Sequence, residues 1–327
     1  MLNRLLSLIA IVACLEISVL AQAPAAKSWT APLAGDGHPD LEGNWVNQSA
    51  TPLERPKEFE GRPTLTDDEV AELKKRADRI FGGGRSDDAL GDSFFSVVLA
   101  NPERHTSSSA TEDSLVVDRE FDNRTSLIVD PPDGKLPPYT TLGRQRRAEH
   151  LAQAMATNAR SSPRDLSIEQ RCITFGVPRV GSIFSANPYA HSQIVQTRDH
   201  VVYFWETAHE ARIIPLDGRP HLPPSIRTWE GDSRGRWEGK TLVVDTTNFS
   251  ARTNFLGAGE DLHLIERFTR VAANEIRYEV TVDAPGTWTK PWTAMVRLKR
   301  TEEKLYEFAC HEGNVEIMET MLSGASQ

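Results

Sequence analysis

Cysteine is scarce in this chain, with three in 327 residues. Cys14 lies in an apolar run at the start, leaving Cys172 and Cys310 as the thiols of any folded body. Neither has a second cysteine two to four residues away, which argues against a structural zinc site. In an oxidising compartment such a pair points to one disulfide closing a long loop. Positive charge is also short: 37 Lys and Arg face 46 Asp and Glu, for a formal net charge of −9. No basic stripe runs along any strand or helix, so nucleic-acid binding is excluded as a function class. The familiar catalytic signatures are missing too. There is no Gly-x-Ser-x-Gly elbow and no His-Glu-x-x-His. Gly82-Gly83-Gly84 beside Arg85 lacks the lysine and the strand-then-helix setting of a phosphate loop, and reads as a helix stop. The nine histidines are scattered. A metal site built from His191, His209 and His311 has no spacing signature, so no metal and no cofactor is expected.

What is present begins with residues 1–19, one basic residue followed by an apolar run broken only by Glu16. Val19 and Ala21 occupy the positions before a signal-peptidase cut, which predicts a signal peptide over 1–21, a mature start at Gln22 and a periplasmic or secreted protein. The run is too short for a membrane span. An alternative reading takes Ile11-Val12-Ala13-Cys14 as a lipid-attachment box with Cys14 as the anchor. Either way, export disfavours chemistry that needs cytosolic ATP or a recycled nicotinamide.

Residues 22–40 read as a flexible leader, and 41–324 as a single domain in which 50–165 form a collar of helices and loops. Thr66 and Glu69 make a capping box. Val70, Leu73, Ala77 and Ile80 then recur on one face, predicting a helix through Arg79. A second helix is expected over 142–157, with its arginines solvated and Leu151 and Met155 buried. Strands are expected at 93–99, 114–118 and 126–129. From about residue 172 the chain is overwhelmingly strand: 183–184, 192–197, 201–206, 211–214, 241–247, 262–270, 275–283, 293–300 and 304–310. The alternation is clean in 275–283, where Ile276, Tyr278, Val280 and Val282 share one face. The near-repeat from Trp229 to Gly239 reads as a structural turn. Short turns make neighbouring strands antiparallel. So many strands in sequence must close or stack to hide their edges. The expectation is a mainly-β fold, a single antiparallel calyx-like barrel with two accessory helices. A β-sandwich is the alternative.

Gly43-Asn44-Trp45 resembles the Gly-x-Trp element with which lipocalin-type barrels begin. Four longer stretches resemble a large, poorly characterised family of secreted bacterial proteins. They start at Leu127, Ala211, Gly231 and Ala309, and include Asp130-Pro131-Pro132-Asp133-Gly134 and Cys310-His311-Glu312-Gly313-Asn314. This resemblance implies export and one continuous domain, and brings no catalytic assignment.

The densest polar constellation is Tyr189, His191 and Gln193 followed by Glu206, His209 and Arg212. A turn over Ala208 to Glu210 frees His209 and Glu206 to face a barrel mouth. There, histidine would accept a proton, a carboxylate would fix its tautomer, and Arg212 would stabilise negative charge. His311 and Glu312 are expected as a second base and orienting carboxylate at that mouth. Adjacent residues on a strand face opposite ways, so Cys310 and His311 make no nucleophile–base dyad. Tyr203, Trp205 and the other aromatic side chains of the strand region supply apolar walls. The function expected is an exported protein that binds an apolar or aromatic small molecule, with Tyr189, His191, Gln193, Tyr203 and Trp205 as contacts. The alternatives are a cofactor-independent isomerase, lyase or hydrolase using His209, Glu206, Arg212, His311 and Glu312, and a structural envelope protein.

Overall fold

A computed structural model describes residues 29–81, 85–86, 93–103, 117–155, 162–181 and 190–323. The predicted signal segment, Cys14, most of the leader, the helix stop at 82–84, the strand at 183–184 and Tyr189 lie outside these residues. The chain divides into Met1–Thr30 and one compact unit, Ala31–Gln327. Among the described residues no helix is long and apolar enough to cross a membrane.

The elements in chain order begin with β1 (Gly43–Asn47), α1 (Asp67–Phe81), β2 (Arg85–Ser86), α2 (Ser93–Ala100), β3 (Val117–Asp118), β4 (Ile128–Asp130) and α3 (Thr141–Met155). There follow β5 (His191–Gln196), β6 (His200–Trp205), β7 (Ala211–Pro215), β8 (Asp232–Glu238), β9 (Thr241–Thr247), β10 (His263–Ala272), β11 (Glu275–Asp283), β12 (Trp292–Thr301) and α4 (Asn314–Ser323). Nine of these strands make a near-closed antiparallel barrel in the order β7-β6-β5-β1-β12-β11-β10-β9-β8. β8 to β12 form a continuous meander. β1, from the start of the domain, is inserted between β12 and β5. Where β1 runs out, β4 covers the remaining edge of β12 through Thr293 and Ala294. β7 and β8, the two ends of this order, share no ladder. The barrel is thus hydrogen-bonded all round except at one seam.

Alternation explains the wall. On β10, Leu264, Glu266, Phe268 and Arg270 are buried while their neighbours are part-exposed, and β11 and β12 repeat the pattern through Ile276–Val282 and Trp292–Leu298. Side chains of period two therefore fill the interior from every strand. Trp45 is fully buried, with its Nε1 donating to the Leu41 carbonyl at 2.9 Å. The guanidinium groups of Arg270 and Arg300 lie 5.7 and 5.9 Å from the centre of the Trp45 ring. Tyr203 packs against Trp205 and edge-on to Phe268, which in turn contacts Tyr278.

The collar carries a core of its own. In α1 the capping box forms as expected: the Glu69 amide donates to Thr66 Oγ1 at 3.2 Å and the Thr66 amide to Glu69 Oε2 at 2.9 Å. Leu73 and Ala77 then pack with Phe59, Phe94, Phe95, Val98 and Phe121. The expected strand at 93–99 is the helix α2. Its apolar run does not alternate, and Phe94 and Val98, four residues apart, share the buried face. α3 matches the second predicted helix, but Leu151 is half exposed instead of buried. The helix is anchored through Arg146, which pairs with Asp261 at 2.8 Å.

Two further expectations are corrected. Residues 304–310 form no strand: both edges of β12, the strand they follow, are already occupied by β1 and β11. They run past the barrel, with the Tyr306 amide donating to Glu206 Oε2 at 2.9 Å, and lead into α4. The stretch from Trp229 is more than a turn, since Asp232–Glu238 is the full strand β8 at the seam. The disulfide forms as expected: Cys172 and Cys310, 138 residues apart in sequence, are bonded with their Cα atoms 5.8 Å apart.

Candidate functional site

The seam is closed by side chains. Arg212 on β7 donates from Nε to Ser233 Oγ on β8 at 2.8 Å. Further along, the backbone of Gly235 lies against β7. A Cβ there would fall 2.6 Å from Leu216 Cδ2 and 2.9 Å from Ile214 Cγ2, so glycine permits the close approach. Gly231, at the entry to β8, has φ +70°, and a Cβ would fall 2.6 Å from the Thr247 carbonyl oxygen.

Behind the seam lies an ion pair inside the barrel. The Arg212 guanidinium donates to both oxygens of Glu266, at 3.0 and 2.5 Å, and to Thr246 Oγ1 at 2.5 Å. Tyr278 donates its hydroxyl to Glu266 Oε1 at 2.9 Å. Arg212 and Glu266 are 4% and 1% exposed, so neither charge would survive there without the other. Burial works against the Arg212 charge, but the bidentate carboxylate outweighs it and holds the pKa above the usual arginine value. Burial next to Glu266 drives the Tyr278 hydroxyl well above its ordinary value.

At the seam a cleft of about 450 Å³ opens. Its lining includes Ile173, Thr174, Glu210, Ile213, Trp229 and Glu230. Ile173 and Ile213 are 38% and 61% exposed, an unusual outlay of apolar surface on either side of a polar floor. Glu210 accepts from the Phe175 amide at 2.6 Å and is paired with Arg179, whose guanidinium lies 4.4 Å from the centre of the Trp205 ring. Burial lowers the Arg179 pKa, and Glu210 opposes that shift. Glu230 accepts from Thr174 Oγ1 at 3.1 Å and lines the cleft together with Glu210. Burial, then the negative charge of Glu210, push the Glu230 carboxyl up to about 7. The pair is therefore a carboxylate fixed by an arginine beside a carboxyl that holds its proton to neutrality. That arrangement can donate a hydrogen bond or exchange a proton near pH 7.

The expected site residues are distributed as follows. Arg212, Tyr203 and Trp205 belong to the buried network behind the cleft. Glu206 is buried but turned to the Tyr306 amide. The turn expected over 208–210 is present, as a single helical turn at Thr207–His209 with Ala208 and His209 at positive φ. It leaves His209 exposed, 6.0 Å from the Phe204 ring. His191 is buried on β5, with Nε2 2.9 Å from Glu303 Oε2, and Gln193 donates to Asn44 Oδ1 at 3.0 Å. His311 and Glu312 are exposed in the turn before α4. The His209 amide donates to the Glu206 carbonyl oxygen at 3.2 Å, but among the described residues no side-chain hydrogen bond or ion pair joins His209 to Glu206 or to His311. Glu210, Glu230, Glu266, Arg179 and Thr174 were not singled out as site residues. Glu266 was visible as an acid on an otherwise apolar inward face, between Leu264 and Phe268. Glu230 carried no comparable signal, because its setting depends on Glu210 across the seam.

No protein-family model matches the chain, and neither a curated protein nor a solved structure matches it.

Proposed function

We propose that this barrel binds a small molecule at the β7–β8 seam, in an exported compartment. Trp229, Ile173 and Ile213 face the apolar or aromatic body of the ligand, and Glu230 engages its polar end. The observation that carries this reading is a pair of carboxyl groups, Glu210 and Glu230, in a cleft with exposed apolar walls. The volume is in the range of small-molecule sites, roughly 300–1,000 Å³. The β-barrel fold is compatible with such binding, and the site lies in its wall because aromatic rings fill the interior. Native mass spectrometry of the exported protein, followed by titration of whatever co-purifies, tests the proposal. Trp229→Ala is expected to weaken binding at least tenfold. Unchanged affinity in that variant would contradict it.

A second reading follows from the same carboxyl. With its pKa near neutrality beside the arginine-paired Glu210, Glu230 is suited to act as a general acid or base on a bound substrate. This moves the acid–base role expected of His209 and His311 to a carboxyl pair. A bell-shaped or single-limb pH–rate profile with a limb near 7, lost in Glu230→Gln, would support an enzyme. Turnover by the native ligand that is unaffected in that variant would refute it.

A further inference from the structure

Three arginines at the seam cleft are held in ion pairs. Arg179 is matched by Glu210, Arg212 by Glu266, and Arg234 by Asp232 at 2.7 Å. Arg252 lies over the Trp229 ring, 5.4 Å from its centre. Among the described residues Glu230 forms no ion pair, and its carboxyl lies on the cleft floor with Glu210 and Asp232 nearby in the lining. An anionic ligand placed there would meet these carboxylates while Arg179, Arg212 and Arg234 are already engaged. A neutral ligand would leave Glu230 without a charged partner. A cation would complete the pattern of pairs.

We infer that the seam cleft takes an amphipathic amine, its ammonium group on Glu230 and its apolar or aromatic body against Trp229, Ile173 and Ile213. The inference rests on the seam being the binding site. The proton balance is simple. The ammonium brings its own charge, Glu230 passes from carboxyl to carboxylate, and the proton leaves to the buffer. No bond to carbon forms or breaks. Because Glu230 titrates at about 7, binding at pH 7 releases about half a proton, approaching one at pH 6. Affinity for the amine therefore rises with pH between 6 and 8.

The test is isothermal titration of the exported protein with 2-phenylethylamine, 2-phenylethanol and phenylacetate, at pH 6, 7 and 8. Each is run in phosphate and in Tris, whose different ionisation enthalpies report the protons exchanged. The amine is expected to bind at least tenfold more tightly than the alcohol, with phenylacetate weakest and with proton release on amine binding. Glu230→Gln, confirmed folded by its thermal transition, is expected to lose at least tenfold in amine affinity. Equal binding of amine and alcohol would overturn the inference, as would preference for phenylacetate with proton uptake. If Trp229→Ala still abolished binding in either case, the seam would remain the site and only the ligand class would be wrong. Absence of binding by all three probes at millimolar concentration would also overturn the inference. The seam itself would then stand or fall on the co-purified ligand and Trp229→Ala.

Discussion

The β9–β12 wall and the β7–β8 seam close the same barrel by different means. Along the wall, backbone ladders fix the register residue by residue, from Thr241 against Thr269 to Val282 against Trp292. Its inward side chains are mostly apolar and interchangeable in kind. At the seam the ladder is missing, and closure depends on the Arg212–Ser233 bond and on the absence of a side chain at Gly235. A structure held by its backbone tolerates change in its side chains, whereas one held by a few side chains does not. The unladdered strip is also where polar and exposed apolar groups gather. The weakest join in the wall is therefore the place where chemistry is available.

The largest expected effect comes from breaking the ion pair behind the seam. Arg212→Met leaves Glu266 buried without its partner and is expected to cost about 3–5 kcal/mol in urea unfolding. Adding Glu266→Leu should recover a large part of that loss, because removing both charges is far less costly than removing one. If the double variant is no better than the single, the pair is not what the charges depend on.

Next in size is the disulfide. Cys172 immediately precedes Ile173 and Thr174 in the cleft lining, so its bond to Cys310 tethers one side of the site. Cys172→Ser with Cys310→Ser is expected to lose about 2–4 kcal/mol. The same variant should also weaken ligand binding. Loss of stability with full affinity would separate the tether from the site.

A side chain at the close approach should cost less. Gly235→Val is expected to destabilise by about 1–3 kcal/mol through overpacking against Ile214 and Leu216. An unchanged unfolding midpoint would mean that the seam is looser than described.

The smallest effect is the most specific. The folded-state pKa of Glu230 is raised from the ordinary 4.5 to about 7, so the folded chain holds this proton more tightly than the unfolded one. The contribution to stability is fully present below pH about 4.5 and is lost as pH rises to about 7. Glu230→Gln is expected to flatten the pH dependence of Tm between 5 and 8 and to raise Tm at pH 8. Each kcal/mol recovered is worth about 2–4 °C. An identical pH profile in the variant would place the titration elsewhere.

Much of the wall is legible in the sequence. The boundaries of β11 follow directly from alternation, those of β9 from a β-branched run between turns, and the turns at Trp237-Glu238-Gly239-Lys240 and Ala272-Ala273-Asn274 make neighbours antiparallel. β8 escaped because its Ser-Arg-Gly-Arg core has no apolar alternation, and its inward face at the seam needs serine and glycine instead. α2 escaped because a short apolar run reads equally as strand or helix until its partners in the collar are known. The site was harder for a physical reason. His209 and His311 stand out by residue type, but accessible imidazoles are not placed by type alone. Glu230 and Glu210 are twenty residues apart and ordinary in sequence. Their chemistry arises only when the ring brings β7 and β8 together and withdraws both carboxyls from water.

Hydrogen–deuterium exchange of the protein, free and saturated with its ligand, tests the central claim most directly. Ligand bound at the seam should slow exchange at 173–175, 211–214 and 228–234, and leave the β10–β11 ladder unchanged. Protection confined to segments away from β7 and β8, such as 191–196 and 303–312, would contradict the account.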